Sequence, residues 1–292
     1  MTGTRYKWVT LEEIMFALAD SHIHLFRNGF AGRYGRSPVR SGSDVDVYES
    51  LREVHHIAAA LVVGYEDDGI DPSNNAYLRE LARSHDWMAT LAYLRATDAH
   101  DAAGVERLLV AGHVGVALYL MDELSTAAVS SWTPALWTPL DDAAAIVSVN
   151  AAADSLSAVE VMARAHGTCA FLISHLGDPG SHAEVPSRAD AMKRLAPLLR
   201  LAVLPNVHVK ISGLYATSDR PVRFPHPQAT PFVDLTLEAF GPERCLWGSD
   251  FSPCLDFISF EQALEPNQIA RLGDTDRERV MGGNLIELLR AR

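Results

Sequence analysis

Two histidines stand two positions apart in the stretch DSHIHLF, residues 20–26. Because side chains alternate across a β-strand, His22 and His24 would share one face of such a strand, while Ile23 points away from it. We expect Asp20 on the same face, beneath the two imidazoles. Imidazole nitrogens bind divalent metals and exchange protons near neutral pH, so the pair indicates either a metal site or an acid–base site.

Two more polar residues end apolar segments elsewhere in the chain. His175 follows the residues FLIS, and Asp250 follows CLWGS. Taken singly, a strand-end histidine is more often a hydrogen-bonded structural residue, and Asp250 could be a helix N-cap before FSPC. A catalytic interpretation therefore requires a fold that brings both residues to the pair formed by His22 and His24.

Eight short, β-rich segments alternate with longer segments of helical periodicity from one end of the chain to the other. The predicted strands are MFALADSHIH ending at His24, IAAALVVGY ending at Tyr65, and residues 88–94, 114–120, 144–151, 169–177, 207–213 and 245–250. Most of them are continuously apolar, as expected of parallel strands covered on both faces. Helical spacing of apolar residues predicts helices over residues 74–86, 101–112, 153–167, 188–201, 231–241 and 276–292.

This alternation predicts an α/β fold, a (β/α)8 TIM barrel that forms one domain over residues 1–292. An open doubly wound sheet is the alternative, but the chain has neither a G-x-G-x-x-G fingerprint nor a P-loop motif. In a barrel the C-terminal strand ends surround one mouth, where active sites lie. The ends of predicted strands 1, 6 and 8 would then place three imidazoles and one carboxylate around a common point.

The four residues His22, His24, His175 and Asp250 support two kinds of chemistry. They could hold one divalent metal, such as zinc, through three nitrogens and one carboxylate oxygen. Without a metal, they could hold a water molecule between a carboxylate base and imidazole donors.

Several further residues are predicted to contact a substrate at the mouth. Lys210 faces either the barrel interior or the helix layer, and an interior lysine needs a partner carboxylate, in a structural ion pair, or a substrate anion. Arginine grips carboxylates with two parallel hydrogen bonds, so the loop after predicted strand 1 favours an anionic small molecule as the substrate. Its arginines are Arg27, Arg33, Arg36 and Arg40. The other candidate contacts, each of which could equally be a packing residue, are Tyr119, Asn150 and Tyr215.

Bulk composition narrows the class of protein. With 37 acidic and 25 basic residues, the formal net charge is -12, which disfavours nucleic acid and anionic membrane surfaces as partners. The three cysteines lack the spacing of a disulfide framework or a structural zinc site, and no apolar run approaches the ~20 residues that span a bilayer. We therefore expect a cytoplasmic protein acting on a small molecule, and the sequence leaves open whether it forms a homo-oligomer.

These motifs resemble the amidohydrolase superfamily, specifically its amidohydrolase-2 branch of TIM-barrel proteins. The resemblance covers most of the chain and rests on DSHIHLF, NNAYLRELARSH, ISHLGDPG, NVHVKISGLYATS, ERCLWGSDFSP and VMGGNLIELL. It implies functional roles for His22, His24, His175 and Asp250. The segments VKISGLY and WGSDFSP are most similar to the lactonase group, which includes sugar lactonases and 2-pyrone-4,6-dicarboxylate lactonase. The resemblance thus implies hydrolysis of a small carboxylated or sugar-derived lactone.

Lactone hydrolysis assigns a role to each of the four residues. Asp250 takes a proton from water and returns it to the ring oxygen, while the imidazoles either stabilise the carbonyl oxygen or bind zinc. The chain departs from metal-dependent relatives, which usually carry another ligand on the fourth or fifth strand. Here residues 118–120 and 149–151 read LYL and VNA and offer no strong zinc ligand. Because the lactonase group includes members that work without metal, both mechanisms stay open, and the sequence slightly favours a metal-free or weakly metallated pocket.

Two other functions compete with the lactonase. Related amidohydrolase-2 proteins decarboxylate aromatic or muconate-type acids with a metal at the same site. A barrel that has lost catalysis and serves as a binding partner is the second alternative, although all four expected polar groups are present at the strand ends.

Overall fold

The computed structural model describes residues 17–30, 32, 42–67, 69–220 and 224–292. Eight parallel strands pair in sequence order, each with its neighbour along the chain. They are β1 Leu18–Ile23, β2 Ile57–Val63, β3 Met88–Tyr93, β4 Gly115–Leu120, β5 Ile146–Ala151, β6 Ala170–Ile173, β7 Val207–Ile211 and β8 Cys245–Trp247. The predicted (β/α)8 barrel is confirmed, and each predicted strand segment contains one of the observed strands.

The barrel closes where β1 meets the residues just after the short strand β8. The backbone N–H of Asp250 donates to the carbonyl of His22 at 2.9 Å, and the N–H of His24 donates to the carbonyl of Phe251 at 2.5 Å. Ile23 and Phe251 form an isolated parallel bridge at the same place. Three of the four predicted catalytic residues, His22, His24 and Asp250, therefore take part in closing the barrel.

Helices cover the outside of the barrel. They are α1 Asp44–His55, α2 Asn74–Leu81, α3 Ala102–Val110, α4 Glu123–Ser130, α5 Pro134–Asp142, α6 Leu156–Ala165, α7 Arg188–Arg200, α8 Thr230–Phe240, α9 Phe260–Leu264, α10 Asn267–Ala270, α11 Asp274–Glu278 and α12 Asn284–Arg290, with a π-helical segment Arg279–Gly283 before α12. None of the helices in the described part of the chain is both long and apolar enough to cross a membrane.

The sequence prediction missed five of these helices, namely α1, α4, α5, α9 and α10. In α1, Val45 and Val47 stand two apart, as they would on a strand, although a capping box between Ser43 and Asp46 starts the helix. The missed helices α9 and α10 lie between the last predicted strand and the last predicted helix, where the sequence predicts no element.

Side chains from alternate strand positions fill the barrel below the mouth. This inner cluster is apolar and buried, and it contains Ala19, Ala59, Leu61, Val63, Ala89, Leu91, Ala117, Ile146, Ala170, Leu172 and Leu246. Leu285, Ile286 and Leu289 of α12 join it. The remaining strand positions, together with the helices, form a second buried apolar cluster. Since apolar layers fill the lower barrel, polar side chains can meet only near the C-terminal strand ends.

Gly282 marks the closest approach of the π-helical segment to β1. A methyl group at this position would collide with the carbonyl of Ala17 and lie 2.7 Å from the backbone nitrogen of Ala19. Because backbone atoms cannot yield without displacing β1, we expect Gly282→Ala to lower the free energy of unfolding by about 3 kcal/mol, measured by urea denaturation.

The neighbouring residue supplies a matched control. A methyl group on Gly283 would meet nothing closer than the carbonyl of Glu278, at 3.5 Å. Gly283→Ala should therefore leave stability unchanged or raise it by up to about 1 kcal/mol through helix propensity. Equal losses in both variants would contradict this account of the packing.

Candidate active site

His22 and His24 point together into the mouth of the barrel. Their Nε2 atoms lie 3.1 Å apart, and the two residues are only 0% and 7% exposed. Ile23 between them packs in the second apolar cluster, between the strands and the helices. The structure thus places both imidazoles on one face of β1, as the alternation of strand side chains predicts.

Asp20 does not lie beneath them, and that prediction is wrong. The pairing of β1 with β2 shifts register between Asp20 and Ile23, so the alternation is interrupted there. One carboxylate oxygen of Asp20 accepts hydrogen bonds from the backbone N–H groups of His22 and Ser249, and the other accepts from the hydroxyl of Tyr48 in α1. Burial raises the pKa of Asp20 to about 6 against the opposing effect of the Ser249 hydrogen bonds. Asp20 ties β1 to the end of β8 and to α1.

His175 joins the cluster from the end of β6. Its ring centroid lies 4.6 Å from that of His22, and its Nδ1 is 3.0 Å from the hydroxyl of Ser212. Gly213 has a φ of 61° and packs so closely that a methyl group there would be 2.5 Å from the Nδ1 of His175. Glycine at this position therefore lets the backbone of the loop after β7 pack directly against the imidazole of His175.

Asp250 follows β8 with a left-handed backbone, φ 62°, and is 5% exposed. Its Oδ1 lies 3.6 Å from the Nε2 of His22 and 4.0 Å from that of His24. The hydroxyl of Tyr215 donates to Oδ2 at 2.5 Å, and the ring of Tyr215 stacks on Phe257 with centroids 4.4 Å apart. Contact of Tyr215 with substrate stays a prediction, and its observed contact is with the carboxylate of Asp250, which it holds. The sequence gives no signal for this contact, because 35 residues separate the two side chains.

Lys210 faces the barrel interior and is fully buried. Its ammonium donates to the hydroxyl of Ser148 at 2.8 Å and lies 3.3 Å from the Nδ1 of His22. The nearest polar partners are thus a hydroxyl and an imidazole, rather than the carboxylate that an ion pair requires. Burial lowers the pKa of Lys210 to about 7, although the charges of Asp20 and Asp250 oppose that shift.

Hydrogen-bond partners fix the tautomers of the paired imidazoles. The Nδ1 of His24 lies 2.9 Å from the carbonyl of Val63, an acceptor, so this nitrogen carries the proton and Nε2 has the lone pair. The 3.1 Å contact between the two Nε2 atoms then requires His22 to donate, and leaves the Nδ1 of His22 to accept from Lys210. Burial lowers the pKa of both rings, that of His24 to about 4, so both are neutral near pH 7.

The same donor set fits one divalent metal. His22, His175 and Asp250 each offer a ligand atom, and these atoms lie within 4.8 Å of one another. His24 and His175 each use Nδ1 in a hydrogen bond, which leaves Nε2 for a metal, as is usual for ligating histidines. Three imidazoles and one carboxylate match the ligands that zinc takes. Ligation by His22 requires loss of its Nε2 proton.

Tyr119 and Asn150 lie side by side near the mouth, because their Cα atoms are paired between β4 and β5. Both residues are partly exposed. The ring of Tyr119 also packs against Tyr65 and Tyr93, with centroids 4.9 Å and 5.6 Å away. Contact of Tyr119 and Asn150 with a substrate stays a prediction.

The side chain of Arg27 contacts two residues of α2. Its guanidinium lies 3.1 Å from the carboxylate of Glu80 and 4.6 Å from the ring centroid of Tyr77. This pairing leaves the predicted role of Arg27 in substrate binding without support from its contacts. The other candidate arginines of this loop, Arg33, Arg36 and Arg40, lie outside the described residues.

The sequence is similar to a protein family and to two curated proteins. A family model described as Amidohydrolase matches residues 19–291. An L-fucono-1,5-lactonase of Burkholderia multivorans is 31% identical over 134 residues, which are 43% of this chain and 44% of the relative. An L-fucono-1,5-lactonase of Burkholderia ambifaria is 29% identical over 144 residues, 46% of each chain. The chain thus spans less than half the length of the curated relatives that it matches.

Solved structures share the architecture along nearly the whole chain. A zinc-bound amidohydrolase of Burkholderia multivorans superposes with a TM-score of 0.73 at 22% identity, covering 93% of this chain and 98% of that one. A probable 2-pyrone-4,6-dicarboxylic acid hydrolase of Acinetobacter baumannii, with citric acid bound, gives 0.70 at 17% identity, with coverage of 94% and 99%. At these identities the likeness shows the fold alone.

The tautomers can be observed directly. In protein stripped of metal with a chelator, long-range 1H–15N correlation spectra near pH 7 should show His24 protonated only on Nδ1 and His22 only on Nε2. The reason is the run of hydrogen bonds from Lys210 through both rings to Val63. Spectra of His22→Asn and His24→Asn assign the signals. A charged ring, or the reverse tautomer in either residue, would contradict the arrangement.

Proposed function

The chain belongs to the amidohydrolase family, and from this we propose that it is a hydrolase that opens the ring of a small lactone. The observation that carries the proposal is the meeting of Asp250 with the buried imidazoles of His22 and His24 and the half-buried imidazole of His175 at one end of the barrel. The names of the partly matching relatives, both L-fucono-1,5-lactonases, support a lactone as the substrate.

Ring opening requires an activated water, a place for the charge on the carbonyl oxygen and a proton for the departing alkoxide. Tyr215 occupies Oδ2 of Asp250 and leaves Oδ1 facing His22 and His24. From this position Asp250 takes a proton from water as the water oxygen attacks the carbonyl carbon. When the bond to the ring oxygen breaks, the same proton passes from Asp250 to that oxygen, so that one carboxylate serves both steps.

His22 is the best placed donor for the negative oxygen of the tetrahedral intermediate. In the tautomer described above, its Nε2–H points toward the cluster, while Lys210 donates to its Nδ1. The hydrogen bond from Lys210 to Nδ1 polarises the ring and makes this N–H a stronger donor to an oxyanion, and burial keeps competing water away. A divalent metal held by His22, His24, His175 and Asp250 would supply Lewis-acid polarisation of the carbonyl at the same place.

Removal of the proposed base tests the function. We expect Asp250→Asn to lower kcat for L-fucono-1,5-lactone by about 10²–10⁴-fold, because a positioned general base contributes that much. The rate is followed with a pH indicator, and circular dichroism checks the fold. Asp219→Asn, which changes an exposed carboxylate in the loop after β7, is the matched control and should keep the wild-type rate.

Two results would refute the proposal. A near-wild-type rate in Asp250→Asn would show that another group activates the water. Release of carbon dioxide from an aromatic or muconate-type acid, with no lactone opened, would favour the decarboxylase instead.

We also propose that the cluster binds one zinc ion. Isothermal titration of chelator-treated protein should give one site per chain, and His175→Asn should weaken the affinity by more than about 100-fold, because it removes a direct ligand. His182→Asn is the control, because the ring of His182 bonds to the carbonyl of Pro179 and packs on Phe232. Turnover of a lactone by protein that binds no zinc would instead establish the metal-free version.

A further inference from the structure

Three neighbouring strands end in tyrosines on the inner face of the barrel. Tyr65, Tyr93 and Tyr119 follow the inner apolar residues of β2, β3 and β4 at the next inward position. Their ring centroids are 4.9 Å apart for Tyr65 and Tyr119, 5.3 Å for Tyr65 and Tyr93, and 5.6 Å for Tyr93 and Tyr119. We call these three residues the tyrosine wall.

The hydroxyls of the tyrosine wall are not used by the fold. None of them bonds to another residue in the described ranges, although Tyr93 is only 8% exposed. Elsewhere in the barrel, Tyr48 donates to Asp20 and Tyr215 donates to Asp250. Tyr65 and Tyr119 are partly exposed at the mouth, so a ligand there can reach their hydroxyls and bond to them.

The tyrosine wall adjoins the catalytic cluster. The Nδ1 of His24 lies 2.9 Å from the carbonyl of Val63, and Tyr65 is the next inward residue after Val63, so the tyrosine wall begins beside the imidazoles. A molecule whose carbonyl is attacked beside Asp250 would therefore extend along the tyrosine rings.

Tyr93 also lines an acidic cleft. It has a volume of about 510 Å³, within the range of small-molecule sites, and its lining includes Glu66, Asp67, Asp98 and Arg95. The single guanidinium is already engaged, since Arg95 donates to the carbonyl of Glu66 and lies 4.0 Å from Asp98. The cleft thus has three carboxylates and one cation that is already paired. It would repel a substrate that carries a carboxylate, and its carboxylate oxygens can accept hydrogen bonds from the hydroxyl groups of a substrate.

Two of the cations predicted to bind an anionic substrate, those that the described residues include, are also engaged. Arg27 pairs with Glu80, and Lys210 bonds to Ser148 and His22. The described part of the mouth is therefore rich in aromatic rings, hydroxyls and carboxylates. That is the surface that a neutral sugar ring requires, with its C–H groups on tyrosine rings and its hydroxyls on polar groups.

We propose that the tyrosine wall and the acidic cleft select an uncharged, polyhydroxylated lactone over a dicarboxylate lactone. The inference rests on the proposed lactonase function and adds the residues that set its specificity. Tyr65, Tyr93 and Tyr119 bind the ring and its hydroxyls, and Glu66 and Asp98 receive hydroxylated substituents.

Two probes and three conservative variants test the selection. Wild-type protein should open L-fucono-1,5-lactone with a kcat/KM at least about 10-fold above that for 2-pyrone-4,6-dicarboxylate. Tyr65→Phe, Tyr93→Phe and Tyr119→Phe should each raise KM for the sugar lactone about 3–10-fold and change kcat little, since each removes one hydrogen bond and keeps the ring. The matched control is Tyr77→Phe, in α2 under the guanidinium of Arg27.

Charge in the cleft is tested independently of the tyrosines. Asp98→Asn removes one negative charge and releases Arg95, so it should raise kcat/KM for the dicarboxylate several-fold while lowering that for the sugar lactone. A wild-type preference for the dicarboxylate, or tyrosine variants that behave like Tyr77→Phe, would overturn the inference while leaving the lactonase proposal intact.

Direct binding separates this inference from the proposed function. A sugar 1,5-lactam, which is neutral and resists hydrolysis, and pyridine-2,4-dicarboxylate can be titrated calorimetrically into wild-type and variant proteins. Even if no lactone is opened, tighter binding of the lactam, weakened about 3–10-fold by each tyrosine substitution, would support the specificity assigned to the tyrosine wall. Tighter binding of the dicarboxylate would overturn it.

Discussion

The backbone hydrogen bonds that close the barrel between β1 and the residues after β8 are the constraint on which the rest of the structure depends. Asp250 donates to the carbonyl of His22, and His24 donates to the carbonyl of Phe251, so the two chain segments cannot slide past each other. The side chains of His22, His24 and Asp250 are brought together by the same bonds. Asp20 reinforces the closure by accepting from the backbone of His22 and Ser249. Assembly of the site is thus a consequence of barrel closure.

Burying so many polar groups in one place is costly unless each has a partner. Here the partners come from a ring of backbone and hydroxyl groups around the cluster: Val63 for His24, Ser212 for His175, Ser148 for Lys210 and Tyr215 for Asp250. These contacts satisfy the outward-facing atoms and leave the inward-facing ones for water, metal or substrate. Desolvation lowers the pKa of His22, His24 and Lys210, so the site holds neutral imidazoles beside the carboxylate of Asp250.

The character of the substrate depends on which polar groups the fold has already used. Arginines and a lysine near the mouth suggest an anion when read from the sequence, yet Arg27, Arg95 and Lys210 are each engaged by neighbouring residues. An engaged cation offers little to a ligand, because binding would have to break an existing interaction first. Within the described residues, the groups left without a hydrogen-bond partner at the mouth are the hydroxyls of Tyr65, Tyr93 and Tyr119, and these favour a ligand that offers hydroxyl groups.

The sequence by itself determined the eight-stranded barrel and the strand ends that bear His22, His24, His175 and Asp250, because apolar periodicity is local and strand-end positions follow from topology. It missed α1, where valines two apart imitate a strand, and it misplaced Asp20, because a pattern of period two cannot reveal a register shift that changes the face. Only the tertiary structure decided that Tyr215 holds Asp250 and that Lys210 supports His22. Those pairs are separated by 35 and 188 residues, and their contact depends on how closely the strands and loops pack, which no local pattern encodes.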